Sequence, residues 1–187
     1  MAGIAAFAMV VLMGGAKAEE FTLGSPDAPV TLIEYASMSC PHCARFHKAV
    51  LPWLKETYIE PGTVKIVYRD FPLNRSALYG AVAVHCVGRD KAIGMIDFLF
   101  LNQAEWAFVD DARETLAGIV GQAGLGEDAF RACLADDALA NGIVKARADA
   151  QRDYEIKSTP SFLIGDEVHA GLQSPEMLTE LIEAARQ

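Results

Sequence analysis

The sequence predicts an α/β fold ordered strand–helix–strand, then an all-helical insertion, then strand–strand–helix (βαβ…ββα). Three observations predict it. Two β-branched stretches, VTLIEYA at 30–36 and VKIVYR at 64–69, flank a helical pattern. Residues 76–155 are Ala-rich and show helical stripes with almost no strand signal. Two short strand patterns, SFLI at 161–164 and a run at 167–170, surround Gly165-Asp166 and precede a Ser-Pro helix start. The chain has 187 residues, 52% hydrophobic and 22% charged, so a core can be buried and wholesale disorder is excluded. Its net charge of -9 removes the basic footprint that nonspecific nucleic-acid binding needs, so no nucleic-acid partner is expected.

Taken in order, residues 1–18 read as a signal peptide, with an apolar stretch from Ile4 to Met13 and a small-x-small site at Ala16-Lys17-Ala18. No Lys or Arg precedes that stretch, so an anchored form stays open as the alternative. Beyond the leader no apolar run is long enough to span a bilayer. Residues 21–29 form an extended lead-in. In the strand at 30–36, Val30, Leu32 and Glu34 share one face. Pro41 suits the first turn of a helix, along which Phe46, Val50, Trp53 and Leu54 follow at helical spacing, with a kink expected at Pro52. The return to a strand at 64–69 implies a right-handed crossover and a parallel pair. Leu78, Val82, His85 and Cys86 begin the helical stripes; Leu116 to Ala123, Phe130 to Leu134 and Leu139 to Ala150 continue them. Leu178, Leu181, Ile182 and Ala185 line the last helix. The divisions are 1–18, 19–75, 76–155 (the insertion) and 156–187.

Cys40-Pro41-His42-Cys43 places a C-x-x-C pair between a strand and a helix start. A helix N-terminus leaves backbone N–H groups unpaired and carries partial positive charge, so a thiolate there is stabilised. His42, protonated or donating a hydrogen bond, favours the same anion. A stabilised reduced thiolate makes the disulfide form a stronger oxidant. Cys86 and Cys133 lie on apolar stripes of the insertion; in an oxidising compartment they are expected to form a structural disulfide, with two inert buried thiols as the alternative. His85 reads as a hydrogen-bonded core histidine, and Trp53 and Trp106 as packing residues. Cys40, Cys43 and His47 could supply three metal ligands, but a structural zinc site wants a fourth and no second cluster follows, so no metal is assigned.

Cys40-Pro41-His42-Cys43, the preceding Glu34, the helical insertion, and Ser158-Thr159-Pro160 before a strand together resemble a DsbA-like thiol–disulfide oxidoreductase with a thioredoxin fold, over residues 20–187. The resemblance implies that Cys40 is the nucleophile and Cys43 the buried resolving cysteine, with Pro41 and His42 tuning the pair. It implies a cis bond between Thr159 and Pro160, in a loop packed on the dithiol and placed to pair with an extended client segment. It makes Glu34 a buried proton carrier for Cys43, consistent with its strand face, with a strand-edge glutamate facing water as the alternative; Lys65 on the adjacent strand could be its partner. No cofactor is implied. The expected partners are unfolded, newly exported proteins and a membrane quinone-linked reoxidase, and the expected state is a periplasmic monomer.

The expected activity is donation of the Cys40–Cys43 disulfide to client dithiols. An isomerase or reductase would use the same four residues with a different redox partner. A metal-binding assembly protein is the non-enzymatic rival.

Overall fold

The computed structural model describes residues 20–187; the leader at 1–18 lies outside them. A five-stranded sheet, ordered β1-β3-β2-β4-β5, forms the centre. Its strands are β1 (Phe21–Leu23), β2 (Val30–Ala36), β3 (Val64–Asp70), β4 (Ser161–Ile164) and β5 (Glu167–Ala170). β2 and β3 run parallel, as the crossover requires, and every other pairing is antiparallel. The lead-in expected as merely extended contributes β1, whose Phe21 registers with Tyr68. Three residues are too few to show alternation, and only the pairing with β3 makes them a strand.

The segment after β2 is one continuous helical run with changing pitch. It comprises α1 (Pro41–Arg45), a π turn Phe46–Val50, α2 (Leu51–Leu54) and a second π turn Lys55–Ile59. The kink expected at Pro52 takes the form of this widening. Proline has no N–H and its ring crowds the carbonyl one turn back. Leu51, just before it, donates instead to Phe46 O, five residues back. Phe46 and Leu54 still reach the sheet, where they join Val30, Leu32, Val64, Ile66, Phe162 and the α9 (Pro175–Ala185) residues Leu178 and Ile182 in one core.

The insertion between β3 and β4 comprises α3 (Arg75–Cys86), α4 (Arg89–Leu101), α5 (Gln103–Trp106), α6 (Ala112–Ile119), a 3-10 turn Val120–Ala123, α7 (Glu127–Leu134) and α8 (Asp137–Tyr154). Several starts are capped by side chains: Asn74 accepts from Ala77 N, Asp111 from Glu114 N and Asp136 from Leu139 N. Ser174 does the same for α9, with Pro175 in its first turn. The insertion has its own core, including Ile96, Phe100, Trp106, Leu116 and Phe130. Met38, Cys40 and Cys43 belong to that core, so the C-x-x-C pair lies where the helical layer meets the sheet. α8 closes the opposite face, with Ala150 against Tyr35, Phe71 and Leu163. Cys86 and Cys133 are joined by a disulfide across 47 residues, linking α3 to α7.

Candidate active site

Ser37 to Cys40 form the turn that leaves β2, closed by Cys40 N–H donating to Ser37 O at 2.9 Å. Ser37 Oγ and Ser39 Oγ lie 3.3 Å apart, and Leu73 N–H donates to Ser37 Oγ. Cys40 is the N-cap of α1 in extended conformation, and Pro41 takes the first helical position without losing a hydrogen bond. The Cys40 sulfur therefore stands over the free N–H groups of the first turn. Cys43, one turn on, is fully buried behind it.

The second wall of the site comes from the far end of the chain. β2 pairs with β4 so that Tyr35 registers with Ser161, which sets the preceding Thr159-Pro160 beside the Cys40 turn. The Thr159–Pro160 bond is cis. The Cys40 thiol donates to Thr159 O at 3.2 Å. Thr159 Oγ1 is buried without a hydrogen-bond partner, and the Thr159 side chain is among the groups that lower the Cys40 pKa.

The two sulfurs are driven apart in acidity. A hydrogen bond from the Cys43 thiol, then the Thr159 side chain, then the backbone N–H groups of Cys43 and His42 outweigh burial and bring the Cys40 pKa down to about 5. Burial, reinforced by the Cys40 hydrogen bond and the charge on Glu34, pushes the Cys43 thiol far up. His42 is exposed, and its backbone N–H is the part of it that stabilises the Cys40 sulfur.

Glu34 is fully buried, as its strand face predicts, but its partner is not Lys65. In the parallel register Glu34 lies beside Tyr68, whereas Lys65 pairs with Thr31 on the opposite face and its Nζ donates to Pro26 O. The partner is His47. Its Nε2 lies 3.1 Å from Glu34 Oε2, its Nδ1 3.2 Å from Asp97 Oδ1, and Lys55 Nζ donates to Asp97 Oδ2 at 2.9 Å. Phe100 stacks on the imidazole with centroids 4.2 Å apart. Burial opposes charging of His47, but Glu34 and Asp97 together prevail and hold its pKa at about 9. Both ring nitrogens face carboxylates, which removes His47 from the metal-ligand set considered from spacing. A small cavity of about 20 Å³ opens beside this row, walled mostly by apolar side chains such as Ile66 and Ile96, with Glu34, His47, Tyr68 and Asp97 also on its lining. Glu34 Oε1 and Tyr68 Oη are buried there without partners.

His85 is the core histidine expected, 2.8 Å from Asp70 Oδ2. Trp106 is completely buried, its Nε1 donating to Leu99 O. Sequence reasoning missed Asp97 and Gln103. The stripe of α4, with Ala92, Met95, Ile96 and Leu99 buried, would have marked that helix and left Asp97 at its edge. Nothing local marks Gln103.

A thioredoxin-type sheet, a helical insertion and a C-x-x-C pair at a helix start opposite a cis-proline define a DsbA-like member of the thioredoxin class. The chain belongs to the thioredoxin family, whose profile matches residues 16–184. Among solved structures it resembles alpha-DsbA1 of Wolbachia pipientis, at TM-score 0.81 and 29% identity over 89% of this chain and 90% of that one. BdbD of Bacillus subtilis shares the fold at TM-score 0.75 and 23% identity, over 88% of this chain and 91% of that one. A Rickettsia bellii relative carrying the name protein-disulfide oxidoreductase is 26% identical over 89% of this chain. The chain spans 62% of that relative's length.

Proposed function

We propose that this chain is an exported thiol–disulfide oxidoreductase that donates a Cys40–Cys43 disulfide to newly exported proteins in the periplasm. The observation that carries the reading is the asymmetry of the pair: both sulfurs are buried, but Cys40, at the helix start against Thr159, has its pKa lowered to about 5 while that of Cys43 behind it is raised. A client thiolate attacks Cys40 Sγ of the oxidised protein. The Cys40–Cys43 bond breaks, a client–Cys40 disulfide forms, and Cys43 leaves as a thiolate that must take up a proton. His47, charged below about pH 9, supplies that proton through the Glu34 carboxylate that it faces. The client's second thiolate then attacks the client sulfur of the mixed disulfide. Cys40 departs as a thiolate, the better leaving group for its lowered pKa. The client dithiol is oxidised by two electrons, and this chain is reduced by two. A quinone-linked membrane protein reoxidises it, and the backbone before Pro160, at Thr159, pairs with the extended client.

Equilibration of the Cys40/Cys43 pair with glutathione tests this reading. An oxidase has a potential well above that of glutathione; one at or below it would make the protein a reductase. Cys40→Ser should abolish exchange with a peptide dithiol. Cys43→Ala should accumulate mixed disulfides, visible as mass adducts on Cys40, and their absence would refute the order of attack.

A further inference from the structure

Gln103 is a buried amide at the start of α5 that none of the roles above uses. Its Nε2 donates to Met38 O at 2.8 Å and to Cys40 O at 3.0 Å. Both amide protons are thus spent on the turn that carries the dithiol, across 63 and 65 residues of chain. The two carbonyls flank Ser39 and Cys40, so they set the planes of the peptides on either side. Cys40 O also receives Ala44 N–H at 3.1 Å, the first hydrogen bond of α1. The same peptide orientation fixes where the N–H groups of His42 and Cys43 point relative to the Cys40 sulfur. A second contact locks the region from the same side. Trp106, one turn along α5, and Met38 both crowd Gly80 on α3, where a Cβ would lie 2.8 Å from the indole and 2.9 Å from Met38 Cβ.

We propose that Gln103 is a positioning residue through which the helical insertion holds the Cys40 turn in its thiolate-stabilising geometry. Without its donors, Met38 O is left buried and unpaired, and a buried carbonyl without a partner rotates to find one. That rotation turns Ser39 and Cys40 and carries the sulfur away from the helix N–H groups. The carbonyl dipoles that Gln103 screens then also act unopposed near the anion. The inference rests on Cys40 being the exchanging sulfur, but its test reads ionisation directly and needs no client or reoxidant.

The test is the thiolate absorbance of the reduced protein against pH. Gln103→Met keeps the length of the side chain and removes both donors; Gln103→Leu removes them with a different shape, so that a packing failure of one need not be shared by the other. Both should raise the Cys40 pKa by about one unit, a tenfold loss of thiolate preference. Phe130→Leu serves as the control, on α7, which packs on α3, α6 and α8. It should lower the melting temperature and leave the Cys40 titration unchanged. A parental titration in the Gln103 variants would overturn the proposal. So would an equal shift in Phe130→Leu, because general loosening would then account for it.

Discussion

His47 shows how a single buried residue can carry charge between two acids. Its pKa near 9 lies above the ordinary histidine value of about 6.5, so it binds its proton more tightly in the folded state. The stability this contributes is complete below about pH 6.5 and is lost as pH rises through 9. The oxidised protein, in which neither Cys40 nor Cys43 titrates, should therefore lose melting temperature over that window. His47→Gln should flatten the curve there, and a slope unchanged from the parent would show that the imidazole is not charged. Spacing offered His47 only as a third member, with Cys40 and Cys43, of a metal-ligand set left unassigned for want of a fourth. Only the sheet register and the packing of α4 show that the ring faces Glu34 and Asp97 instead. Glu34 was readable from its alternation with Val30 and Leu32, because strand period alone assigns a face. Its partner was not, because choosing between Lys65 and His47 requires knowing which residues share that face across β3.

Elements were legible where they carry their own punctuation. Ser174, ahead of Pro175, caps the last helix as read, and Gly165-Asp166 turns the final hairpin with Gly165 at positive φ, whereas the caps at Asn74 and Asp111 were not read from the sequence. The π turns were not legible, since the hydrophobic spacing of Phe46, Val50 and Leu54 tolerates the extra residue per turn. The contacts that join insertion to site, Gln103 to Met38 and Asp97 to His47, span 65 and 50 residues and leave no local trace. The α3–α7 disulfide is the element-scale feature with the clearest energetic consequence. Closing 47 residues restricts the unfolded chain by about 4 kcal/mol in the loop-entropy model. Replacing both Cys86 and Cys133 by Ala should lower unfolding free energy by that order in a denaturant titration. The rate of exchange at Cys40 should change little. An unaltered denaturation midpoint would remove the bridge as a stabiliser.

For the whole molecule, the dithiol makes redox state and fold stability one quantity. The lowered Cys40 pKa favours the folded reduced protein, with the gain complete above the ordinary thiol range near 8.5 and lost as pH falls through about 5. Cys43 acts with the opposite sign at high pH: its folded thiol keeps the proton that an unfolded one releases above about 8.5. His47 is common to both redox forms and cancels to first order. The stability of the reduced over the oxidised protein should thus rise from pH 5, peak near 8 to 9 and then decline. Paired thermal melts of the two forms measure it. A gap independent of pH would mean that neither sulfur is perturbed.

Cys40 meets Thr159 across 119 residues of chain, with the insertion in between. Because a polypeptide is made from its N-terminus, the reactive pair emerges long before the loop that completes its surroundings. A growing chain lacks the Thr159 hydroxyl and Gln103 until those stretches follow, and its first cysteine then has only the help of Cys43 and the adjoining N–H groups. The surroundings of the sulfur are therefore complete only once the chain has been made as far as Thr159.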